Sequence, residues 1–211
     1  MYVPSSFAEP DRDRLHDFVE QNGFGVLVSQ HAGIPTATHL PFLLDRNGGP
    51  HGTLSGHMAR ANPQWRDAEG QPALAVFSGP HAYISPAWYE TEKMVPTWNY
   101  VAVHATGKLR VIEDPDELRP IVQASVAAYE APRPSPWQLE PGEYLERMLK
   151  QIVGFRIEIE RLEGTWKLSQ NHPVERRERV IGALEGNPET QPVAALMRQT
   201  LAGKNPESAR M

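Results

Sequence analysis

His57, Arg60, Asn62 and Trp65 crowd into one short stretch, Gly52-Thr-Leu-Ser-Gly-His-Met-Ala-Arg-Ala-Asn-Pro-Gln-Trp65. The stretch reads as a strand that breaks at Ser55-Gly56 and resumes as a helix carrying those four side chains. A glycine at such a turn lets backbone approach a ligand closely. Free amides and the dipole at the helix start favour an anion. Arg60 adds a charge-assisted, bidentate contact to a phosphate. The segment therefore reads as half of a site for a phosphate-bearing cofactor. Many strand–helix turns share this pattern and bind nothing, so its weight depends on the clusters that accompany it.

Two more clusters stand out. In Val95-Pro-Thr-Trp-Asn-Tyr100 two aromatics flank an amide. Asn99 can donate and accept along the edge of a heteroaromatic ring while Trp98 or Tyr100 stacks on its face. The same residues also make an aromatic core plug with Asn99 satisfying backbone. In Gly164-Thr-Trp-Lys-Leu-Ser-Gln-Asn171, Lys167, Ser169, Gln170 and Asn171 offer a cation and three hydrogen-bonding groups. That suits a polar ligand edge or an anion, or a cap for the helix that follows Pro173. Thr38 and His39 lie in a strand beside Pro41, where a histidine is more often structural than catalytic. The eight histidines show no metal-site spacing, there is no Gly-x-Ser-x-Gly elbow, and no catalytic residue is assigned.

The elements that must position these clusters are short and mostly extended. Asp11 caps a helix with Leu15, Phe18 and Val19 at helical spacing. Residues 24–30 and 34–44 read as a hairpin about a turn at 31–33. Residues 72–78 and 81–85 are a strand pair or one bent strand. From 98 to 112 Val101, Val103, Ala105, Gly107, Leu109 and Val111 alternate with polar residues, as in a half-buried strand. Asp114-Pro115 opens an amphipathic helix. A short helix over 142–151, a last strand over 154–162 and helices over 173–185 and 190–202 follow. Residues 203–211 read as a frayed end. The pattern is α+β and mostly β: a small barrel or curled sheet with peripheral helices.

Bulk properties narrow the class. With 211 residues the chain suits one domain with a small appendage, here residues 1–186 and a C-terminal extension over 187–211. No cysteine is present, which excludes disulfides and thiolate chemistry and fits a cytoplasmic protein. The N-terminal residues do not form a signal peptide, and no apolar run reaches the roughly 20 residues that cross a bilayer. A net charge of −5 gives no basic footprint for DNA. The run Val174-Glu-Arg-Arg-Glu-Arg179 is diluted by its acids and reads as a solvated helix face.

Taken together, Pro41-Phe42, Gly56-His-Met-Ala-Arg-Ala-Asn-Pro63, Tyr83-Ile-Ser-Pro-Ala-Trp88, Val95-Pro-Thr-Trp-Asn-Tyr100, Gly154-Phe-Arg-Ile and Lys167-Leu-Ser-Gln-Asn171 resemble the PaiB-like family. That family comprises FMN-binding negative transcriptional regulators with a split-barrel fold, and the resemblance runs over about residues 1–186. It implies a split β-barrel, a homodimer and FMN at the subunit interface. It also implies that Thr38, His39 and Leu40 line the isoalloxazine and that His57 and Arg60 bind the phosphate. Trp98 and Asn99 would approach the ring or ribityl chain, and Lys167 and Gln170 would close the site. Three functions fit: a flavin-binding regulator acting on DNA directly or indirectly, a flavin-dependent oxidoreductase or flavin reductase, and a haem-binding split barrel with a histidine such as His39, His57 or His81 as axial ligand.

Overall fold

In a computed structural model of the chain, residues 1–89 and 94–202 are described. The chain divides into two compact units. One is built from Met1–Pro10, Ser78–Ala102 and the segment from Gly164 on, the other from Asp11–Phe77 and Val103–Glu163. They are called unit 1 and unit 2.

The strands are β1 (Ala8–Glu9), β2 (Phe24–His31), β3 (Ile34–Pro41), β4 (Leu43–Asp45), β5 (Thr53–Ala59), β6 (Pro72–Ile84), β7 (Thr97–Ile112) and β8 (Ile152–Lys167). Among the described residues they follow the sheet order β3-β2-β6-β7-β8-β5-β4, with β1 added on β8. The helices are α1 (Arg12–Gln21), α2 (Pro115–Glu130), α3 (Glu143–Leu149), α4 (Val174–Glu185) and α5 (Gln191–Ala202).

Unit 2 follows from alternation and caps. The Asp11 carboxylate accepts from the N–H groups of Asp13 and Arg14, starting α1, which buries Leu15, Phe18 and Val19. The β2–β3 hairpin closes with His31 opposite Ile34. Its two turn residues, Ala32 and Gly33, have φ of 50° and 76°, the mirror-image turn whose twist matches that of the strands. Buried Leu27, Leu54, Phe77, Val103, Ala105, Leu109, Phe155 and Ile157 make the core. Phe42 sets its ring edgewise on Phe77 and Phe155, at 5.3 and 5.6 Å. Asp114 caps α2, whose Leu118 and Ile121 pack with Leu145 and Leu149 of α3.

Unit 1 is held by α4 on α5, through buried Val180, Ile181 and Leu184 with Val193, Ala194 and Met197. Arg177 is also buried and donates to the Met197 carbonyl and the Thr200 hydroxyl. β1 pairs with the end of β8, Ala8 opposite Thr165.

Three sequence expectations change. The strand expected over 34–44 divides at Phe42 into β3, paired with β2, and β4, paired with β5. Residues 57–59 are not helical: β5 runs unbroken from Thr53 to Ala59, paired with β8 from Glu158 to Ile152. Met58-Ala-Arg-Ala61 has helical propensity, but pairing along β8 and burial of Leu54 and Met58 override it. No helix dipole therefore acts at His57; the one turn that follows is the 3-10 segment Pro63–Asp67, capped by Asn62. Likewise β8 runs on to Lys167 rather than ending near residue 162. The tail expectation for 203–211 lies outside the described residues.

Candidate functional site

In unit 2, Thr38, His39 and Leu40 lie on β3, which ends the sheet path. An edge strand leaves alternate backbone N–H and C=O groups without a ladder partner, free to meet a ligand. Leu40 is buried, and exposed His39 stacks on Phe24 with centroids 6.3 Å apart. Thr38 is pinned through its hydroxyl, which donates to Gln64 Oε1 and accepts from Asn62 Nδ2 at 2.9 Å. Gln64 is fully buried, and its amide donates to the Leu27 and Thr36 carbonyls and to Ser29 Oγ. This network fixes β3 against β2. Sequence reading missed Gln64, because one polar residue inside a polar motif carries no periodic signal; only its place next to the cap Asn62-Pro63 hinted at it.

His57 and Arg60 are carried by β5 and the residues just past it. Gly56 lets the end of β3 come near: a Cβ there would stand 2.8 Å from the Pro41 carbonyl oxygen and 2.7 Å from the Phe155 ring. His57 has a buried Nδ1 with no hydrogen-bond partner among the described residues, an uncommon state for a buried polar atom. Burial holds its pKa below the ordinary 6.5. Arg60 is already engaged. Nε donates to the Lys150 carbonyl at 3.0 Å, Nη2 to the Ile152 carbonyl at 3.2 Å and Nη1 to Glu113 at 2.7 Å. Its guanidinium also lies 5.7 Å from the centroid of the Trp65 ring. Of its five N–H groups, three are used this way, so two remain for an anion.

The His57 environment gives a stability prediction. Above pH 6.5 the ring is neutral whether folded or not, and no penalty arises. As pH falls below 6.5 the unfolded chain takes up the proton first, so stability drops until the folded-state pKa is passed. His104 and His172 are shifted down by burial in the same direction. Urea midpoints are expected to fall between about pH 7 and 5, and His57→Gln is expected to flatten part of that slope. An equal slope in the variant would contradict the assignment.

In unit 1, Trp98 is half-exposed, with His81 and Tyr83 at centroid distances of 6.2 and 6.0 Å. Asn99 is fully buried instead of lying open to a ring edge. Its amide exchanges hydrogen bonds with Ser169 Oγ (3.1 and 3.2 Å) and donates to Met197 Sδ of α5 at 3.3 Å. Ser169 is itself buried, with φ 63°, a conformation that a non-glycine residue holds only when its surroundings fix it. Gln170 accepts from the Leu168 N–H and donates to the Trp166 carbonyl, closing the end of β8. Lys167 Nζ donates to Thr97 Oγ1 and lines a cavity of about 270 Å3. Thr38, His39, Leu40, His57 and Arg60 thus belong to unit 2, and Trp98, Asn99, Lys167 and Gln170 to unit 1.

Residues 1–161 match the family model described as Putative FMN-binding domain. The chain belongs to this family. The "Protease synthase and sporulation protein PAI 2" of Bacillus subtilis is 41% identical over 206 residues, covering 95% of this chain and 98% of that protein. An uncharacterized protein of Aspergillus fumigatus is 32% identical over 237 residues, covering 88% and 91%. Among solved structures, the "FAD and Heme binding protein" of Mycobacterium smegmatis superposes with a TM-score of 0.60 at 16% identity, over 81% of this chain and 78% of that one. The flavocytochrome Anf3 of Azotobacter vinelandii gives 0.56 at 15% identity, over 78% and 72%. At such identities the likeness concerns the fold alone, and the fold is the one expected: a mostly β split barrel with peripheral helices. Among the described residues no helix is long and apolar enough to cross a membrane.

Proposed function

We propose that this protein binds FMN and acts, as a homodimer, in the negative regulation of transcription. Membership of the FMN-binding family supports the cofactor, and the PAI 2 relative supports a regulatory setting. The observation that carries the reading is the buried Nδ1 of His57, which has no hydrogen-bond partner among the described residues. A flavin ring presents alternating donors and acceptors along its pyrimidine edge, and a strand edge at Thr38–Leu40 answers it with the same alternation. The neutral imidazole of His57 supplies a donor and an acceptor. The two spare N–H groups of Arg60 suit a phosphate, whose charge would compete with Glu113.

Trp98, exposed among His81 and Tyr83, is proposed as a stacking contact. Lys167 is proposed as a further flavin contact, and Asn99 and Gln170 as supports that hold the polypeptide in place, since their amides are used internally. When bound, a flavin supplies electron-transfer chemistry of its own; the residues named here bind and orient it. Direct DNA binding is the weaker form of the regulatory reading, because the net charge of −5 opposes contact with a polyanion.

The test is a titration of purified protein with FMN, followed by flavin fluorescence and absorbance. Stoichiometric uptake is expected, and Arg60→Ala is expected to weaken it by about 1.5–3 kcal/mol, the range for hydrogen bonds to charged groups. Unchanged affinity in a folded variant removes Arg60 from the phosphate contact. A Soret band in place of flavin bands replaces the cofactor assignment with haem. Oxidation of a nicotinamide by the flavin-loaded protein makes it an oxidoreductase, and salt-dependent binding to its own promoter makes it a direct DNA binder.

A further inference from the structure

A cavity of about 480 Å3 lies in unit 2 between α2 and the sheet at β4, β5 and β8, and none of the residues assigned to the flavin lines it. The register of the sheet orders its charges. Residues opposite one another on neighbouring strands share a face. Asp45 pairs with Thr53 and Thr53 with Glu158, so the Thr53 hydroxyl is flanked by two carboxylates. One step along the same face, Ser55 pairs with Arg156 on one side and Leu43 on the other. Carboxylates therefore stand at one end and a guanidinium at the other. Thr53 and Ser55, two residues apart, set these ends roughly 6.6 Å from each other.

These groups keep bonding capacity. Asp45 Oδ1 takes the Asn47 N–H at 3.0 Å, and a carboxylate has a second oxygen to offer. The Thr53 hydroxyl donates to the Gly48 carbonyl at 3.0 Å and can still accept. Arg156 reaches Glu117 only at 3.7 Å, while the other Glu117 oxygen is held by Arg110 at 2.8 Å. The planar fork of Arg156 can therefore take a carboxylate through two parallel bonds. The opposite wall is α2, where Pro120, Ile121 and Ala124 give a short apolar surface. The volume falls within the roughly 300–1,000 Å3 of small-molecule pockets. A lone anion would face Asp45 and Glu158, and a lone cation would face Arg156. A small zwitterion with an apolar body answers both ends and the wall.

We propose that this cavity binds a free α-amino acid with an apolar side chain, its carboxylate on Arg156 and Ser55 and its ammonium on Asp45 and Thr53. The two charges of such a molecule are one carbon apart, and a hydrogen bond of about 2.8 Å at either end lets them bridge the two hydroxyls. The side chain lies against α2. The assignment does not rest on the flavin reading.

The experiment titrates the purified full chain with L-leucine by calorimetry, with and without saturating FMN. N-acetyl-leucine removes the ammonium charge, and leucinamide removes the carboxylate. Saturable leucine binding is expected, at least tenfold tighter than either derivative and unchanged within twofold by FMN. Arg156→Gln and Asp45→Asn are each expected to weaken leucine at least tenfold. Absent or non-saturable leucine binding overturns the proposal, as does unchanged affinity in either variant. A derivative that binds as tightly as leucine reduces the cavity to a site for one charge and also overturns it. Competition between leucine and FMN makes the cavity part of the flavin site and overturns it too. Should the charge variants not fold, Ala124→Trp fills the cavity from an exposed position on α2. It is expected to abolish leucine binding, and unchanged affinity overturns the proposal.

Discussion

Gly107→Ala is expected to prevent the chain from holding its native fold at 37 °C. Gly107 lies in β7, and a Cβ there would stand 1.9 Å from the carbonyl oxygen of Glu158 and 2.9 Å from its carbon. Both are backbone atoms of β8, so no side chain can swing aside. Relief requires β7 and β8 to move apart by more than an ångström, at the cost of ladder hydrogen bonds and of packing around Ile157, whose Cγ2 is 3.0 Å away. Ordinary overpacking costs about 1–3 kcal/mol, and a forced strand separation belongs at or beyond the top of that range. Gly182→Ala is the control. That glycine sits exposed in α4 with nothing within 4 Å of a Cβ, so alanine should stabilise by up to about 1 kcal/mol through helix propensity. Urea denaturation of both variants decides the matter; a Gly107→Ala protein as stable as the parent would refute the steric argument.

Gln64→Leu is the second large effect, and it reaches function. The substitution keeps bulk but leaves the Leu27 and Thr36 carbonyls, Ser29 Oγ and the Thr38 hydroxyl short of a partner. Each buried group left unsatisfied costs about 1–3 kcal/mol, softened where water enters from the β3 edge, so a total loss of about 2–4 kcal/mol is expected. FMN affinity should fall with it, because Thr38 loses the anchor that holds β3 in place. Urea midpoints and FMN titrations on the same preparation separate the two effects. A variant that loses stability but binds FMN as tightly as the parent would show that β3 is not a flavin contact.

Much of the fold could be read in advance, and the reasons are local. β7 announces itself because Val101, Val103, Ala105 and Leu109 recur at period two and are all buried. α1 and α2 are marked by Asp11 and Asp114, each bonding an N–H two residues on. The errors lie where distant partners decide. Gly56 looks like a turn glycine, yet it is there to admit the Pro41 carbonyl across from β3. The residues after it look helical until β8 is available to pair with them.

For the candidate residues, the sequence gives identities but not partners. The sequence marks Arg60, but not that Lys150 and Ile152, some ninety residues away, occupy two of its nitrogens. It marks Asn99, but not that its amide faces Ser169 and Met197 instead of an open ring edge. Such partners come from tertiary contacts that no local spacing encodes.

The boundaries between the two units bear on how this protein can be inherited. One lies between Pro10 and Asp11; the other three fall inside β6, β7 and β8, between Phe77 and Ser78, Ala102 and Val103, and Glu163 and Gly164. A recombination event that joined one unit to a foreign gene would need cuts in the middle of three strands at once. Neither unit can be shuffled as a cassette, so lineages carrying this architecture should diversify by point substitution and by growth at loops, and pass both units on together.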